Sequence, residues 1–350
     1  MLIKHSHIRL RVKATVIHEH GGADKLIYED IEDPEPSKDE VLVKIKTCAV
    51  NHLDIWVREG LPVKTLKFPH ILGCDIAGEI AGKNRNFPIG SRVMVYPGLS
   101  CGKCYYCKKG KENLCSKFSI IGGFSDTQGG YAEYVKVPLR NIVRIPSRFS
   151  FDEAACLGVS YLVSWNMLKS TNAGKGTTLL VYGAGSGVGS ATIQLARARG
   201  AKVITTVGNE GKVALAKKLG ANHVIDRTRH DIVTEVMTLT GDGVDAVIDH
   251  VGASTWMTSI KCLKPGGRMA VCGATTGETA NVEIRTVYNK QLSIIGAYLG
   301  TKAQLMEMMV FMQAKKIRPV IDSTFRLSEA ARAHARMENS DHFGKILLKN

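Results

Sequence analysis

The stretch "TTLLVYGAGSGVGSATIQLARARG", residues 177–200, combines an apolar run, a glycine-rich turn and a helical pattern that ends at Gly200. "TTLLVYGAG" is typical of a buried strand, and "GVGSATIQLARARG" is typical of a helix. Glycines between a strand and a helix let the backbone approach a pyrophosphate, whose charge is stabilised by the helix N-terminus. The spacing differs from a strict G-x-G-x-x-G, so a glycine turn without a ligand is the alternative. We predict a dinucleotide-binding turn made by Gly183, Ala184, Gly185, Gly187, Val188 and Gly189.

Apolar strands alternate with helices through the rest of this half of the chain. The further strand candidates are "KVITTVG", "HVIDRT", "DAVIDHVG", "RMAVCGA" and "LSIIGAY", and one intervening helix, "GKVALAKKLG", ends at Gly220. Strands that are apolar on both faces indicate a parallel sheet covered by helices on both sides. Six such strands predict an α/β fold with a six-stranded doubly wound nucleotide-binding domain, which we assign to residues 161–314.

The end of the second strand carries the information on cofactor choice. NAD sites usually place an acidic residue there to hold the ribose hydroxyls, whereas this chain has Gly208, with Lys212 four residues later. A glycine leaves room for a 2′-phosphate and a lysine supplies charge, so we predict NADPH over NADH. A solvated Lys212 without a ligand is the alternative, and Glu210 argues against a phosphate. By topology, the ends of the fourth and fifth strands add His250, Val251, Gly273 and Ala274 to the expected cofactor contacts.

Residues 12 to about 150 predict short strands and turns. "EVLVKIKTCAV" and "GSRVMVYPG" carry β-branched residues bounded by Gly and Pro. A helical segment follows in "PSRFSFDEAACLGVSYLVSWNML", where Ser150 and Glu153 fit a capping box. The chain then closes with a strand-like "KILLK".

Four cysteines, Cys101, Cys104, Cys107 and Cys115, lie within "CGKCYYCKKGKENLC", residues 101–115. The C-x2-C-x2-C-x7-C spacing can supply four thiolates to one tetrahedral zinc ion. Such an ion has no open position for substrate, so we predict one structural zinc that takes no part in chemistry. Four thiols without a metal are the alternative.

Composition narrows the class of protein. The 350 residues are 44% hydrophobic and 23% charged, and no apolar run approaches the roughly 20 residues of a membrane helix. The basic N-terminus lacks the apolar core of a secretory signal, so we expect a cytoplasmic protein without disulfides. The formal charge of +15 suits phosphorylated small molecules, and nucleic-acid binding is the less favoured alternative because no basic helix with interleaved aromatic residues occurs.

From Lys13 to its end, the chain resembles the medium-chain dehydrogenase/reductase superfamily, which includes zinc alcohol dehydrogenases and quinone oxidoreductases. The resemblance is carried by "AVNHLDIWVREG", "ILGCDIAGEI", "CGKCYYCKKGKENLC", "GGYAEYV", "YGAGSGVG" and "FGKILLK". It implies a GroES-like β-rich catalytic domain over residues 1–160, with a structural zinc lobe at 98–118, beside a Rossmann NADP-binding domain. It also implies that residues 315–350 return to the catalytic domain, and that a cleft separates the two domains. Residues 1–12 have no assigned role.

The positions that hold catalytic zinc in related alcohol dehydrogenases differ here. Those relatives have a Cys at the first ligand position, where this chain has Asn51. They have the His of a Gly-His-Glu motif at the second, where this chain has Cys74, and a later Cys or acid at the third, where it has Val159. Asn and Val are poor zinc ligands, so we expect no catalytic zinc; Cys74 is then a small buried apolar residue. The chain thus resembles the zinc-free branch, whose members transfer hydride from NADPH to a quinone or an α,β-unsaturated carbonyl, enoyl thioesters included. A zinc alcohol dehydrogenase that uses His52, Cys74 and Asp75 is the first alternative, and a non-catalytic NADPH-binding relative is the second.

The resemblance places Asn51, His52 and Asp54 at the nicotinamide end of the cleft, and Lys345 among the cofactor-binding residues. Asn51 is expected to bind the substrate carbonyl or a ribose, whereas Asp54 could equally be a cap for the following helix. Trp56 stands where relatives often carry a Tyr, so the phenolic proton donor is missing there. The family commonly pairs the last Rossmann strand, here Leu292–Tyr298, across a twofold axis, which implies a homodimer or a homotetramer.

Overall fold

The computed structural model describes residues 11–61, 65–84 and 86–350, so most of residues 1–12 lie outside it. The first part of the chain is rich in short strands, as its turn-bounded β-branched segments predict. Strands β1–β10 are Arg11–Ile17, Ile27–Glu32, Glu40–Ala49, His70–Ile71, Asp75–Ile80, Arg92–Val95, Gly98–Leu99, Ser119–Ile120, Tyr134–Pro138 and Ile142–Arg144.

The first part of the chain has few helices, and the last two of them lead into the second domain. Helices α1–α4 are His52–Glu59, Tyr105–Lys108, Phe151–Ala155 and Leu162–Ser170. The predicted capping box at the start of α3 is confirmed, since the Glu153 N–H donates to Ser150 Oγ at 3.1 Å and the Ser150 N–H donates to the Glu153 carboxylate at 2.8 Å.

The helix predicted after Ser150 is interrupted by a π-helical turn, Leu157–Tyr161. A Cβ on Gly158 would lie 2.5 Å from Asp75 Oδ1, so the turn brings bare backbone against a buried carboxylate. Periodicity could not predict this wider turn because it is imposed by the neighbouring strand. Turns of this kind often mark functional sites.

The second domain contains the predicted six-stranded parallel sheet. Its strands β11–β16 are Thr178–Val181, Lys202–Val207, His223–Asp226, Val244–Asp249, Leu263–Val271 and Ser293–Gly296. Helices α5–α10 are Gly187–Ala198, Val213–Lys218, Ile232–Thr240, Trp256–Cys262, Ile284–Asn289 and Lys302–Ala314. The strand order β13-β12-β11-β14-β15-β16 reverses direction between β11 and β14, which confirms the doubly wound α/β fold.

The end of the chain returns to the first sheet. Strand β17 (Ile321–Arg326), helix α11 (Ala330–Glu338) and strand β18 (Lys345–Lys349) follow the second domain. Strand β18 pairs in parallel with β17 and antiparallel with β3, with Leu347 opposite Ala49. Strands β17 and β18 complete a seven-stranded sheet of order β10-β6-β5-β3-β18-β17, in which β9 also pairs with β3, along its first half. The exact domain boundaries stay a prediction.

One buried apolar cluster joins the two sheets. It runs from Met94 and Tyr96 of the first domain, through Trp165 of α4, to Leu179 and Val181 of β11. The Tyr96 hydroxyl donates to the Gly300 carbonyl at 2.7 Å, which fixes the loop after β16 against the first domain. A cleft of about 890 Å³ lies between the domains. Among the described residues, none of the helices has the length and apolar character needed to cross a bilayer.

Candidate active site

The zinc lobe brings its four cysteine sulfurs together. The Sγ atoms of Cys101, Cys104, Cys107 and Cys115 all lie within 4.8 Å of one another, with Cys101 and Cys107 3.9 Å apart. A tetrahedral ion with 2.3 Å Zn–S bonds separates its sulfurs by about 3.8 Å, so the four residues fit zinc. Hydrogen bonds from the Lys103 and Cys104 N–H groups lower the pKa of Cys101 to about 6, which favours the thiolate that zinc requires.

The glycine turn lies at the point where the strand order of the sheet reverses. Gly183 has φ of +58°, a left-handed conformation that favours glycine, and Ser186 caps helix α5 by accepting from the Gly189 N–H at 2.8 Å. A Cβ on Gly187 would approach Ser160 Oγ to 2.6 Å and Lys345 Cδ to 3.0 Å. The turn therefore presents bare backbone and a helix N-terminus, which fits a pyrophosphate.

His250 closes one side of this turn. Its Nε2 lies 3.0 Å from the Tyr182 carbonyl and 3.1 Å from Ser186 Oγ, so the neutral ring donates from Nε2 to the carbonyl. Burial lowers the pKa of His250, which keeps it neutral. Gly273 packs against the His250 carbonyl, where a Cβ would lie 2.6 Å from the oxygen. The residues predicted after the fourth and fifth strands thus lie together, and Gly273 and Ala274 line the cleft.

An arginine that the sequence analysis missed, Arg227, follows β13 in the chain, and its side chain lies beside Gly208 at the end of β12. Arg227 Nη2 would be 3.1 Å from a Cβ on Gly208, and its guanidinium has no hydrogen-bond or ion-pair partner among the described residues. The Lys212 ammonium donates to the Ser340 carbonyl at 2.6 Å, and Glu210 pairs with Arg229 at 2.8 Å. Arg227 could have been found from the rule that parallel strands end at one edge, because it follows β13 beside β12.

Asn51 lies in a buried cluster with Asp75 and Lys345. The Lys345 ammonium donates to Asn51 Oδ1 at 2.6 Å and to the Val50 carbonyl at 2.9 Å, and it lies 3.1 Å from Asp75 Oδ2. The Asn51 amide donates to the same carboxylate oxygen at 3.0 Å and lies 3.6 Å from Cys74 Sγ. Both ends of the Asn51 amide are therefore occupied by protein groups. The predicted contact of Lys345 with the cofactor stays a prediction. In this structure the Lys345 ammonium binds Val50, Asn51 and Asp75 instead.

The charge balance of this cluster follows from burial. Lys345 is 2% exposed and Asp75 is 1% exposed, so the pair is removed from water. Burial raises the pKa of Asp75, and the Lys345 charge and the Asn51 hydrogen bond act in the opposite direction. Burial also raises the pKa of the Cys74 thiol well above its usual range, so Cys74 is a neutral thiol here.

Asp54 belongs to a second network of buried side chains. Its Oδ2 accepts from the Asn51 N–H at 2.8 Å and from the Tyr131 hydroxyl at 3.0 Å. The Tyr131 oxygen lies 2.9 Å from His334 Nε2, and His334 Nδ1 lies 3.2 Å from Arg58 Nη1. Because arginine only donates, His334 accepts through Nδ1 and donates through Nε2. The contacts of Asp54 support the alternative of a helix cap and structural anchor.

The cleft itself is lined from both domains and from the zinc lobe. His52 is exposed and is not one of the lining residues, but its ring meets the edge of the Trp56 indole, which lines the cleft, at a centroid distance of 6.0 Å. Desolvation, followed by the charges of His342 and His250, lowers the pKa of His52; the exposure of the residue limits this shift. The lining residues are Trp56, Leu61, Lys111, Asn113, Leu114, Asn166, Val271, Cys272, Gly273, Ala274, Glu278, Gly296, Ala297, Tyr298, Thr301 and Gln304.

Tyr298 is a cleft residue with a phenolic proton, and the sequence analysis did not single it out. Its ring packs edge-on against Phe118 at a centroid distance of 5.4 Å, beside the zinc lobe. Tyr298 is 51% exposed, and the partial burial of its ring raises the pKa of the phenol, so the phenol stays protonated. No local pattern indicates this residue, because it lies after the last strand of the second domain and reaches the cleft only through the fold.

The fold and the site define a two-domain, nicotinamide-dependent oxidoreductase with a zinc-binding lobe. Residues 37–147 match the sequence model of the family described as "Alcohol dehydrogenase GroES-like domain", and residues 187–314 match "Zinc-binding dehydrogenase". The chain belongs to the medium-chain dehydrogenase/reductase superfamily, and the predicted GroES-like domain is confirmed. Like its relatives, the protein is an NAD(P)-dependent oxidoreductase that acts on small molecules.

Similar proteins carry several different names. The quinone oxidoreductase of Rattus norvegicus is 31% identical, over 96% of this chain and 97% of that protein. The acryloyl-coenzyme A reductase of Metallosphaera sedula is 29% identical, over 96% of this chain and 99% of that protein. A crystal structure of an NAD-dependent alcohol dehydrogenase is 38% identical with a TM-score of 0.91, covering 97% of this chain and 99% of the other.

Proposed function

We propose that this protein transfers hydride from NADPH to a quinone or an α,β-unsaturated carbonyl compound, without a catalytic zinc. The observation that carries the proposal is that Asn51, Cys74 and Val159 stand at the positions that the resemblance assigns to the family's zinc ligands, and that Asn51 and Cys74 are buried among protein groups. The amide of Asn51 already binds Lys345 and Asp75, and the Cys74 thiol is buried and neutral. A zinc ion would need deprotonated, accessible donors at these positions.

The lysine in this cluster strengthens the argument. The ammonium of Lys345 lies within hydrogen-bond distance of Asn51 and Asp75, two side chains that would otherwise offer oxygen donors to a metal. A divalent ion close to this buried cation would be repelled, because charges interact strongly where water is excluded. Asp75 was one ligand of the rearranged zinc site, so its pairing with Lys345 weakens that alternative.

The remaining groups suit reduction of a conjugated double bond. When bound, the cofactor supplies the hydride, and the glycine turn with its helix N-terminus holds the pyrophosphate that fixes its position. The protonated phenol of Tyr298 can donate a hydrogen bond to a substrate carbonyl oxygen and so stabilise the negative charge that develops there. Apolar residues such as Val271, Ala297 and Leu114 line the same cleft and restrict access of water.

The preference for NADPH rests on the free guanidinium of Arg227 above Gly208. A planar guanidinium binds a phosphate through two parallel hydrogen bonds, and Gly208 leaves the space that a phosphate needs. Glu210, which argued against a phosphate, points toward Arg229. Arg227 is therefore a stronger candidate for the 2′-phosphate contact than Lys212, whose ammonium binds Ser340.

One comparison of substrates tests the reaction. The purified protein is assayed with NADPH against an enone, a quinone and an enoyl thioester, and with NADP against simple alcohols, before and after chelation. We expect reduction of a conjugated compound that survives the chelator as long as the protein stays folded. Efficient oxidation of alcohols that disappears on chelation of a folded protein would replace this proposal with a zinc alcohol dehydrogenase.

Two variants separate the roles of the residues. Tyr298→Phe keeps the ring that packs against Phe118 and removes the proton, so we expect kcat to fall while NADPH affinity is unchanged. Asn51→Ala removes the partner of Lys345 and Asp75, so we expect lower turnover with unchanged zinc content. An unchanged kcat in Tyr298→Phe would exclude the phenol as the carbonyl donor.

A further inference from the structure

The outer surface of the zinc lobe carries more positive charge and more exposed aromatic area than its structural task requires. Five lysines, Lys103, Lys108, Lys109, Lys111 and Lys117, are exposed there, and among the residues that the structure describes their ammonium groups have no hydrogen-bond or ion-pair partner. The single carboxylate of this segment, Glu112, accepts from the Lys302 N–H at 2.6 Å at the start of α10.

Two tyrosines stand beside these lysines on helix α2. Tyr105 is 70% exposed and Tyr106 is 43% exposed, and their rings meet edge to face at a centroid distance of 5.5 Å. Because the two rings are in contact, they form one exposed apolar patch, and such patches can mark a site for a partner or a ligand. Unpaired lysines next to aromatic rings are the combination that binds a nucleotide, because the cations hold phosphates and a ring stacks on the base.

This surface is continuous with the cleft. Lys111, Asn113 and Leu114, which belong to the same lobe, form part of the cleft wall, and the Lys111 N–H donates to the Tyr106 carbonyl at 2.9 Å. A substrate bound in the cleft can therefore extend over the lobe without leaving the protein. Within the cleft, the Glu278 carboxylate and the mainly apolar lining would disfavour phosphates, so an anionic group is expected over the lysines of the lobe.

We propose that the lobe face, consisting of Lys103, Tyr105, Tyr106, Lys108, Lys109 and Lys111, binds the phosphates and the adenine of a coenzyme A thioester whose acyl group enters the cleft. The inference rests on the proposed reduction of conjugated carbonyl compounds and names the substrate class within it. Among phosphorylated ligands a coenzyme A ester fits, because its phosphoadenosine is joined by a long flexible arm to the thioester that would be reduced. The lobe then serves substrate selection although its zinc takes no part in chemistry.

The kinetic test compares crotonyl-coenzyme A with crotonyl-pantetheine, which has the same acyl group and arm but lacks the nucleotide. We expect a higher kcat/KM for the coenzyme A ester, and a roughly five- to tenfold loss of that value in Lys108→Glu/Lys109→Glu at low salt, because two exposed favourable charges become repulsive. Reduction of crotonyl-pantetheine should be unchanged in this variant. Tyr105→Ala should lower only the value for the coenzyme A ester.

A matched control variant makes the same change in charge on a surface far from the lobe. Lys217 and Lys218 are an exposed lysine pair on α6, at the opposite end of the sheet from Tyr298 and the lobe. Lys217→Glu/Lys218→Glu should leave both substrates unaffected. Equal losses in the two double variants, or equal losses for both substrates in the lobe variant, would contradict the docking inference.

A binding measurement decides the question without turnover. Adenosine 3′,5′-bisphosphate is titrated calorimetrically into the full-length, zinc-loaded protein saturated with NADP, which blocks the cofactor site. We expect binding that the lobe variant weakens and the α6 control does not; no binding to the wild-type protein overturns the inference. If enones are reduced but the two thioesters have equal kcat/KM, the docking is wrong and the proposed reaction stands. If no conjugated compound is reduced, the reaction fails and the titration still decides the docking.

Discussion

Gly189 illustrates how strictly single residues are constrained at the cofactor turn. A Cβ at this position would collide with the carbonyl of Gly183, which is backbone and cannot rotate away as a side chain could. At Gly187 the obstacles are two side-chain atoms, Ser160 Oγ and Lys345 Cδ. The two glycines therefore differ in how much a substitution disturbs the turn, although the sequence motif treats them alike.

We expect Gly189→Ala to lower turnover on the order of 100-fold, because displacement of the helix N-terminus by about 1 Å misplaces the bound cofactor. Steady-state kinetics at saturating NADPH measure this. Gly174→Ala is the matched control, since a Cβ there would meet only the Arg199 carbonyl at 3.5 Å. Equal activity of Gly189→Ala and the control would show that the turn does not position the cofactor.

The second residue-scale prediction concerns the choice between cofactors. Arg227→Ala should weaken NADPH binding on the order of 10- to 100-fold and leave NADH nearly unchanged, because only NADPH has the 2′-phosphate that a guanidinium binds. Lys212→Ala should act in the same direction but more weakly, since its ammonium already binds Ser340. Fluorescence titration gives the dissociation constants, with Arg229→Ala as the control. Equal affinity of the wild-type protein for both cofactors would refute the preference.

Asp54 gives a prediction on pH and stability. Burial, opposed by hydrogen bonds from Asn51 and Tyr131, raises the pKa of Asp54 from 3.8 to about 7. Between these two values the folded chain keeps a proton that the unfolded chain releases, so stability falls as pH rises from about 4 to 7. The slope contributed by Asp54 is at most about 1.4 kcal/mol per pH unit.

The measurement compares Asp54→Asn with the wild-type protein by denaturant unfolding between pH 4.5 and 7.5. The asparagine oxygen can accept the same two hydrogen bonds but does not titrate, so the fall in stability with pH should be shallower in the variant. Asp33→Asn, at an exposed position, controls for the loss of one charge. Parallel curves for Asp54→Asn and the wild-type protein would mean that Asp54 is ionised throughout.

At the scale of elements, the zinc lobe is mostly loop, and we expect a zinc ion on its four cysteines to hold it in shape. Helix α2 has only four residues and the strand pair Gly98–Leu99 with Ser119–Ile120 has only two residues on each side. Elements this short do not stabilise themselves. The lobe nevertheless supplies Lys111, Asn113 and Leu114 to the cleft wall, so its order matters for substrate binding.

We predict one zinc per chain, and Cys104→Ser should lower the Tm by roughly 5 °C or more because the closed site stabilises the folded lobe. The loss of thermal stability should be larger than the loss of turnover per folded molecule. KM should rise because the cleft wall loosens. Elemental analysis, thermal unfolding and kinetics at a temperature where the variant is folded provide the test. Two zincs per wild-type chain, with activity that follows the second, would contradict it.

At the scale of the whole molecule, one edge strand of the parallel sheet is apolar and exposed. Strand β16 is the last in the strand order, and Ile294 in it is 40% exposed, with Ile284 and Tyr288 of α9 also exposed nearby in the chain. An apolar edge strand can pair with a second copy, because its unpaired backbone groups then find partners. We therefore propose a homodimer, or a tetramer built from two such dimers.

Light scattering at micromolar concentration should give at least twice the chain mass of 38.1 kDa. Ile294→Lys should shift the mass toward the monomer, since a buried unpaired charge at a symmetric contact occurs twice. Val310→Lys changes a residue that is also exposed, at 67%, but lies on α10, and it should leave the mass unchanged. A monomeric wild-type protein would refute the assembly.

The sequence by itself determined the features that depend on neighbours along the chain. The glycine turn, the six apolar strands and the four cysteines are local patterns: each strand or turn is specified within about ten residues, and the cysteines lie within residues 101–115. Those patterns sufficed for the fold class and the zinc lobe. The motifs around Asn51 and Cys74 also indicated which zinc ligands are missing, although not what takes their place.

Only the tertiary structure decided which side chains come together at the candidate active site. Lys345 binds Asn51 across 294 positions of sequence, because strand β18 returns to pair with β3. Arg227 lies beside Gly208 because β13 and β12 end at the same edge of a parallel sheet. Tyr298 reaches the cleft because the loop after β16 packs against the first domain. Such contacts leave no trace in periodicity or spacing, since burial and charge pairing depend on distances that are set when distant segments pack together.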